Sequence, residues 1–396
     1  MKRAIAFGAF VSGLALLAAE PTLGQGSGGE PYELVRSLQS IQDQIVRGNA
    51  RAHSYQRVLM GQISERFAGM NAERWKEPRN ARAAIVYLLS GGNPAVLTQL
   101  VDNAGQAGLD ERLAKGAMAF AQGQKEEAAK LLHALDARTL DSGIAGYVAF
   151  AQAELAADKE PARAIAYLDD ARLLAPGTLI EEAAFRRQIK LVEDSGDTDR
   201  QDTLSTQYMR RFPNSLYATA FRQQFAIQIA ANADAGQPER LARVEATLAG
   251  LAATERRQVY LVIAKSALDK GKVGMARFGA EKASGLAEAG SADFSRSRVL
   301  LAATLIVTDR HDEGVEILAS LDRSALADEE TALLDAALAV AGQVRRSIAD
   351  FAGTGPPPGV EGAKGPGWEA QATSDMRAKA KNALAQVDQL LSGKSQ

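Results

Sequence analysis

Residues 119–122 read Ala-Phe-Ala-Gln, and residues 149–152 read Ala-Phe-Ala-Gln again, 30 positions on. The residues downstream of each copy are also alike: Leu135-Asp136-Ala137-Arg138 after the first, Leu168-Asp169-Asp170-Ala171-Arg172 after the second. Each copy belongs to an alanine-rich helical run, succeeded by a short polar turn (Gly123-Gln124-Lys125, then Asp158-Lys159-Glu160-Pro161) and a second helical run. Proline at 161 suits the first turn of a helix, where its missing N–H costs nothing. The unit is a helical hairpin, and its recurrence at about 30 to 37 residues is the mark of a tetratricopeptide-like solenoid. A plain helical bundle with chance echoes is the competing reading, and the repeat favours the solenoid.

The pattern extends in both directions. Residues 181–193 and 198–211 form a third hairpin around Asp194-Ser195-Gly196-Asp197, closed by Phe212-Pro213-Asn214-Ser215. A proline stop and a polar cap make a helix-to-helix junction there. Further pairs fall at 255–270 with 272–287 and at 293–308 with 312–322. Tyr217, Phe221, Phe225 and Ile229 form an i, i+4 ridge of the kind that packs into a neighbouring groove. Toward the N-terminus, Leu34, Leu38, Ile41 and Ile45 make one apolar stripe, and Leu59, Ile63 and Phe67 make another. No run alternates in the two-residue period of a strand. The fold expected over 31–352 is all-α, a tetratricopeptide-like helical-hairpin solenoid.

The two ends are of different material. Lys2 and Arg3 precede an apolar run from Ala4 to Ala19, which reads as an export signal, shorter than the roughly 20 apolar residues of a membrane span, with an uncleaved anchor as the competing reading. Its boundary falls after Ala19 or after Gly24, and we draw it as 1–24, with a flexible lead-in at 25–30. The mature chain then has no membrane span and lies outside the cytoplasmic membrane. Residues 353–368 are rich in glycine and proline, including Pro356, Pro357, Pro358 and Pro366, the composition of a linker. Beyond it, 369–396 reads as a tethered C-terminal helix and tail with Leu384, Val387 and Leu391 on one face.

Composition removes several kinds of chemistry. With 46 basic and 48 acidic side chains, a net charge of −2 gives no basis for a nucleic-acid partner. The chain has no cysteine and three histidines, His53, His133 and His311, far apart in sequence. Neither a thiol nucleophile nor a bacterial lipoprotein anchor is possible, and neither a metal nor a cofactor is expected. Gly24-Gln25-Gly26-Ser27-Gly28-Gly29 matches a dinucleotide string but lacks the strand and helix that would give it meaning, and no catalytic motif is recognisable. The acidic pairs Glu126-Glu127, Glu181-Glu182 and Glu329-Glu330 sit at helix starts, where they complement the helix dipole. The arginine pairs at 186–187, 210–211, 256–257 and 345–346 read mostly as late-helix residues doing the same at the other end. Partner-binding candidates are Arg210 and Arg211 beside Phe212, two forked donors next to an aromatic, and Trp368, a large ring in the linker. Trp75 reads as core.

Three strings carry a resemblance: EPYELVRSLQ at 30–39, QDQI at 42–45 and PRNARAAIVYLLSGGNP at 78–94. They resemble the periplasmic motility family MotC of rhizobia and relatives, and the similarity extends through Gly116 to Phe120 and the later repeats. The resemblance implies a non-enzymatic accessory of the flagellar motor that binds the periplasmic part of the stator protein MotB. It carries over no catalytic residue. Two other classes compete. One is a general periplasmic assembly or division adaptor, and the other is an enzyme acting on cell-wall glycan, for which too little chain lies beyond the linker to make a catalytic domain.

Overall fold

The computed structural model describes residues 29–232 and 236–353. Among the described residues every regular element is a helix, and there is no strand. The chain opens with a hairpin of α1 (Pro31–Val46) and α2 (Ala50–Ala68), then α3 (Ala72–Trp75), α4 (Pro78–Leu89) and α5 (Thr98–Asn103). Three hairpins come next: α6 (Glu111–Ala121) with α7 (Lys125–Leu132), α8 (Ser142–Ala156) with α9 (Pro161–Leu174), and α10 (Leu179–Ser195) with α11 (Thr198–Arg211). After α12 (Ala218–Ala231) and α13 (Pro238–Leu248) come α14 (Ala253–Asp269) with α15 (Val273–Leu286), α16 (Ala292–Leu305) with α17 (His311–Ser320), and the long α18 (Asp328–Gly353). Prolines open α1, α4, α9 and α13, and the side chains of Asn49, Asp110, Asp141, Asp197 and Ser291 accept first-turn N–H groups. The prolines remove, and the capping side chains satisfy, donors that would otherwise be unpaired at a helix start.

The helices pack in consecutive contacts, each hairpin against the next, as in a helical solenoid. The expected hairpins are present, with their helix ends moved by a few residues. The Ala-Phe-Ala-Gln echo marks the same depth in two equivalent helices, since α6 and α8 start 31 residues apart. It differs in consequence. α8 runs a turn further, so Gln152 is buried and its Nε2 donates to the carbonyls of Leu132 (2.7 Å) and Leu135 (2.9 Å). It thereby adds a second donor to the Leu132 carbonyl, which also accepts the Leu135 N–H (3.0 Å), and serves the Leu135 carbonyl just past α7. Gln188 on α10 does similar work one unit on, donating to Asp169 (2.7 Å) on α9.

α1 departs from a two-layer solenoid. It lies against α2, α4 and α10, and Tyr147 of α8 donates to Gln42 on α1 (3.2 Å). It thus runs across α4, α8 and α10 as a third layer. Its buried positions are Val35, Leu38, Gln42 and Ile45, with Leu34 and Ile41 at the edge of the stripe. Val35 and Leu38 belong to the first of two apolar cores and Val46 to the second. The turn after α1 sits on the α11–α12 junction, where Leu216 N–H donates to the Ile45 carbonyl (3.4 Å). Gly48 there has φ +93°, and a Cβ would collide with the Asn214 carbonyl oxygen, so only glycine fits.

The repeat lapses once. α13 packs on α11, and α12 packs mainly on α14, so these two helices do not form the close hairpin seen elsewhere. The expected signal segment 1–24, the lead-in up to residue 28, the linker beyond Gly353, Trp368 and the C-terminal helix 369–396 lie outside the described residues. Among the described residues no helix is long and apolar enough to cross a membrane.

Candidate functional site

Arg210 and Arg211 end α11 and are exposed, and Arg211 forms an ion pair with Glu181. Phe212 does not stand beside them at the surface. It is 3% exposed, with its ring centroid 5.9 Å from that of Phe185 and 5.7 Å from that of Tyr208. The expected patch of two guanidiniums and an aromatic is corrected here, because the chain leaving α11 turns the ring into the second core. An aromatic just past a helix end is as apt to close the core as to face solvent. Trp75 is core as read, stacked on Phe67 at 5.7 Å. His133 lies against the Gln152 carbonyl and His311 against that of Ala341. The described residues hold no cluster of metal-ligating type.

The strings 30–39 and 78–94, distant in sequence, lie against each other. Glu30 bonds Arg74 (Nε to Oε2, 3.1 Å) and Asn80 (3.0 Å), and Tyr32 N–H donates to Asn80 (3.3 Å). The hydrogen bond from Arg74, then that from Asn80, holds the Glu30 carboxyl below its ordinary range. Next to this knot, α1, α4 and the start of α8 enclose an open cleft of about 370 Å³. Arg36, Arg79, Arg82 and Asp141 line it, over an apolar floor that includes Val35 and Val86. The Arg79 guanidinium lies 5.6 Å from the Tyr32 ring centroid, a cation–π distance. Arg82 Nε stands 3.7 Å from Asp141 Oδ2, too far for a direct hydrogen bond.

A second surface runs along α12, α14, α16 and α18. The fifth residue of each of the first three is an arginine that pairs with an acid in the first turn of the next: Arg222–Glu255 at 3.2 Å, Arg257–Asp293 at 2.7 Å and Arg296–Glu330 at 2.5 Å. Arg256-Arg257 therefore opens α14 and does not lie late in a helix, contrary to the general reading of the arginine pairs. Glu330 sits in a first turn, as expected, and so do Glu255 and Asp293, but all three also staple neighbouring repeats together. Between α12 and α14 the first of these pairs, Arg222 and Glu255, borders a groove of about 260 Å³, with Gln223, Gln258 and Val262 along it.

Glu182 reads from sequence as a complement to a helix dipole, yet its side chain is fully buried. It accepts a hydrogen bond from the Tyr208 hydroxyl at 2.8 Å. Burial pushes its carboxyl above the ordinary value of 4.5. The folded carboxyl thus binds its proton more tightly than the unfolded one. Its contribution to stability is therefore present below pH 4.5 and is lost as pH rises through the folded value. Glu182→Gln is expected to remove that segment of the pH dependence, flattening Tm against pH just above 4.5. An unchanged slope in thermal melts of the variant would count against the assignment.

Comparison with known proteins gives two matches. The family model described as "Chemotaxis protein MotC" matches residues 1–396. The "Chemotaxis protein MotC" of Rhizobium meliloti (strain 1021) is 32% identical over 320 residues, 80% of this chain and 72% of that protein. No solved structure matches the chain.

Proposed function

The chain belongs to the MotC family of chemotaxis proteins, and from that premise we propose that it is a non-enzymatic periplasmic scaffold of flagellar rotation, holding the periplasmic region of the stator protein MotB. The observation that carries the reading is the family match along the whole length of a helical solenoid. Solenoids bind extended or helical partners along the face formed by their stacked first helices. Here α1 occupies that face over α4, α8 and α10. Beyond α10 its place is taken by no described helix: the main neighbours of α14 are α12, α15 and α16. The groove bordered by Arg222, Glu255 and Gln258 is thus within reach of a partner. Arg210 and Arg211, exposed at the end of α11, remain candidate contacts, as does Trp368.

Deletion of the gene is expected to leave cells flagellated but unable to swim, and cross-linked mature chain is expected to bring down MotB through its periplasmic part. Normal swimming of the deletion strain would overturn the reading. Misshapen or chained cells with swimming impaired only in proportion would point to a general envelope or division adaptor instead.

A further inference from the structure

We propose that the cleft between α1, α4 and the start of α8 is a binding site for an acidic peptide segment, one with two carboxylates flanking an apolar side chain. Three guanidiniums, those of Arg36, Arg79 and Arg82, converge on it against the single carboxylate of Asp141. That carboxylate is already engaged, since its Oδ1 accepts the Gly143 N–H at 2.9 Å as the cap of α8. Its Oδ2 lies 3.7 Å from Arg82. Arg36 and Arg79 have no carboxylate partner among the described residues; Arg79 rests on the Tyr32 ring instead. This sets the cleft apart from the groove between α12 and α14, whose one arginine, Arg222, is paired with Glu255.

Planar guanidiniums recognise carboxylates with two parallel hydrogen bonds, so the excess of two positive charges fits two carboxylates. The floor between them is apolar, from Val35 and Val86, and would accept one aliphatic side chain. At about 370 Å³ the cleft lies within the roughly 300–1,000 Å³ typical of ligand sites. It is also positioned rigidly. The Glu30–Arg74–Asn80 knot fixes α1 against α4, so the backbone positions that carry Arg36, Arg79 and Arg82 are set before any partner arrives. The apolar floor favours a peptide over an anionic polysaccharide, which offers no aliphatic side chain to cover it. The site stands on its own residues, whether or not MotB is the protein that supplies the segment.

The test uses the full mature chain and a fluorescein-labelled peptide of repeating Glu-Leu-Glu units, read by fluorescence anisotropy. Saturable binding is expected, weakened at least about tenfold by the double reversal R36E/R79E, a loss of about 1.4 kcal/mol. The charge-matched control R51E/R57E alters two exposed arginines of α2 and should leave the affinity within about twofold, because exposed charges at a distance are screened. Thermal melts of both variants should coincide with the parent, since all four side chains are exposed. No saturable binding, or equal weakening by the two doubles, would overturn the site. Displacement of the peptide by heparin at a lower carboxylate-equivalent concentration than by unlabelled peptide would overturn the choice of a peptide ligand.

Discussion

Asp202→Ala is expected to destabilise the protein by about 3–5 kcal/mol, read as a fall in the urea midpoint monitored by far-ultraviolet circular dichroism. Asp202 on α11 receives the guanidinium of Arg240 on α13 at 2.5 Å, and the two side chains are 13% and 2% exposed. Burial pushes the Asp202 carboxyl up, against the hydrogen bond and charge of Arg240, which pull it down. The pair is therefore one in which desolvation already weighs heavily. Arg240 Nε and Nη2 have no protein partner, so removing the carboxylate leaves a buried guanidinium with nothing to answer its charge. The site matters because the repeat lapses here. α13 packs on α11 and lacks a close hairpin with α12, and this pair, with Arg243–Asp199, ties it down. The double replacement Asp202→Leu with Arg240→Met should recover most of the loss, because apolar residues can replace a buried pair at little cost. A single variant as stable as the parent would show that α13 is held by its apolar contacts alone.

How much of the fold and the cleft is legible in the sequence depends on the distance over which each feature is encoded. Hairpins are local. The stripes through Leu38 and Ile45 or Ile63 and Phe67, the prolines opening α1 and α9, and turns such as Gly123-Gln124-Lys125 all act within a few residues, and the structure obeys them. The partner of an apolar stripe is not local. The α1 stripe announces a buried face, but nothing near it says that the face lies across α4, α8 and α10 as a third layer. Phe212 departs from its expected place for a related reason: an aromatic after two arginines has the same composition whether it points out or in. The arginine staples are legible in principle. Aligning helix starts puts Arg222, Arg257 and Arg296 at one position and acids in each following first turn. Dipole complement alone accounts for acids at helix starts, and this hides their second role as staples. The cleft brings together residues that are 43 and 46 positions apart, Arg36 with Arg79 and with Arg82, and no spacing rule predicts that.

Close approach between repeats gives the other large effect, and it can be tested with opposite signs in one protein. Gly279 lies inside α15 against α14, where a Cβ would stand 2.8 Å from both the Ala264 N and the Tyr260 carbonyl oxygen. Both are backbone atoms of a neighbouring helix, so no rotamer change can make room and the helices themselves must separate. The residues around the contact, Met275, Ala276, Ala280 and Ala283, are buried, and separation would open gaps beside each of them. Gly279→Ala is accordingly expected to cost about 1–3 kcal/mol, the range for overpacking a well-filled core. Alanine's better helix propensity, worth about 1 kcal/mol, only partly offsets the larger of these values. Gly61, in the middle of α2, is exposed and a Cβ there meets nothing within 4 Å. Gly61→Ala should then gain up to about 1 kcal/mol from propensity alone. Differential scanning calorimetry of the two variants decides the matter. Opposite shifts of Tm mean that glycine at 279 is there for helix contact, whereas two upward shifts would show that α14 and α15 can part without loss.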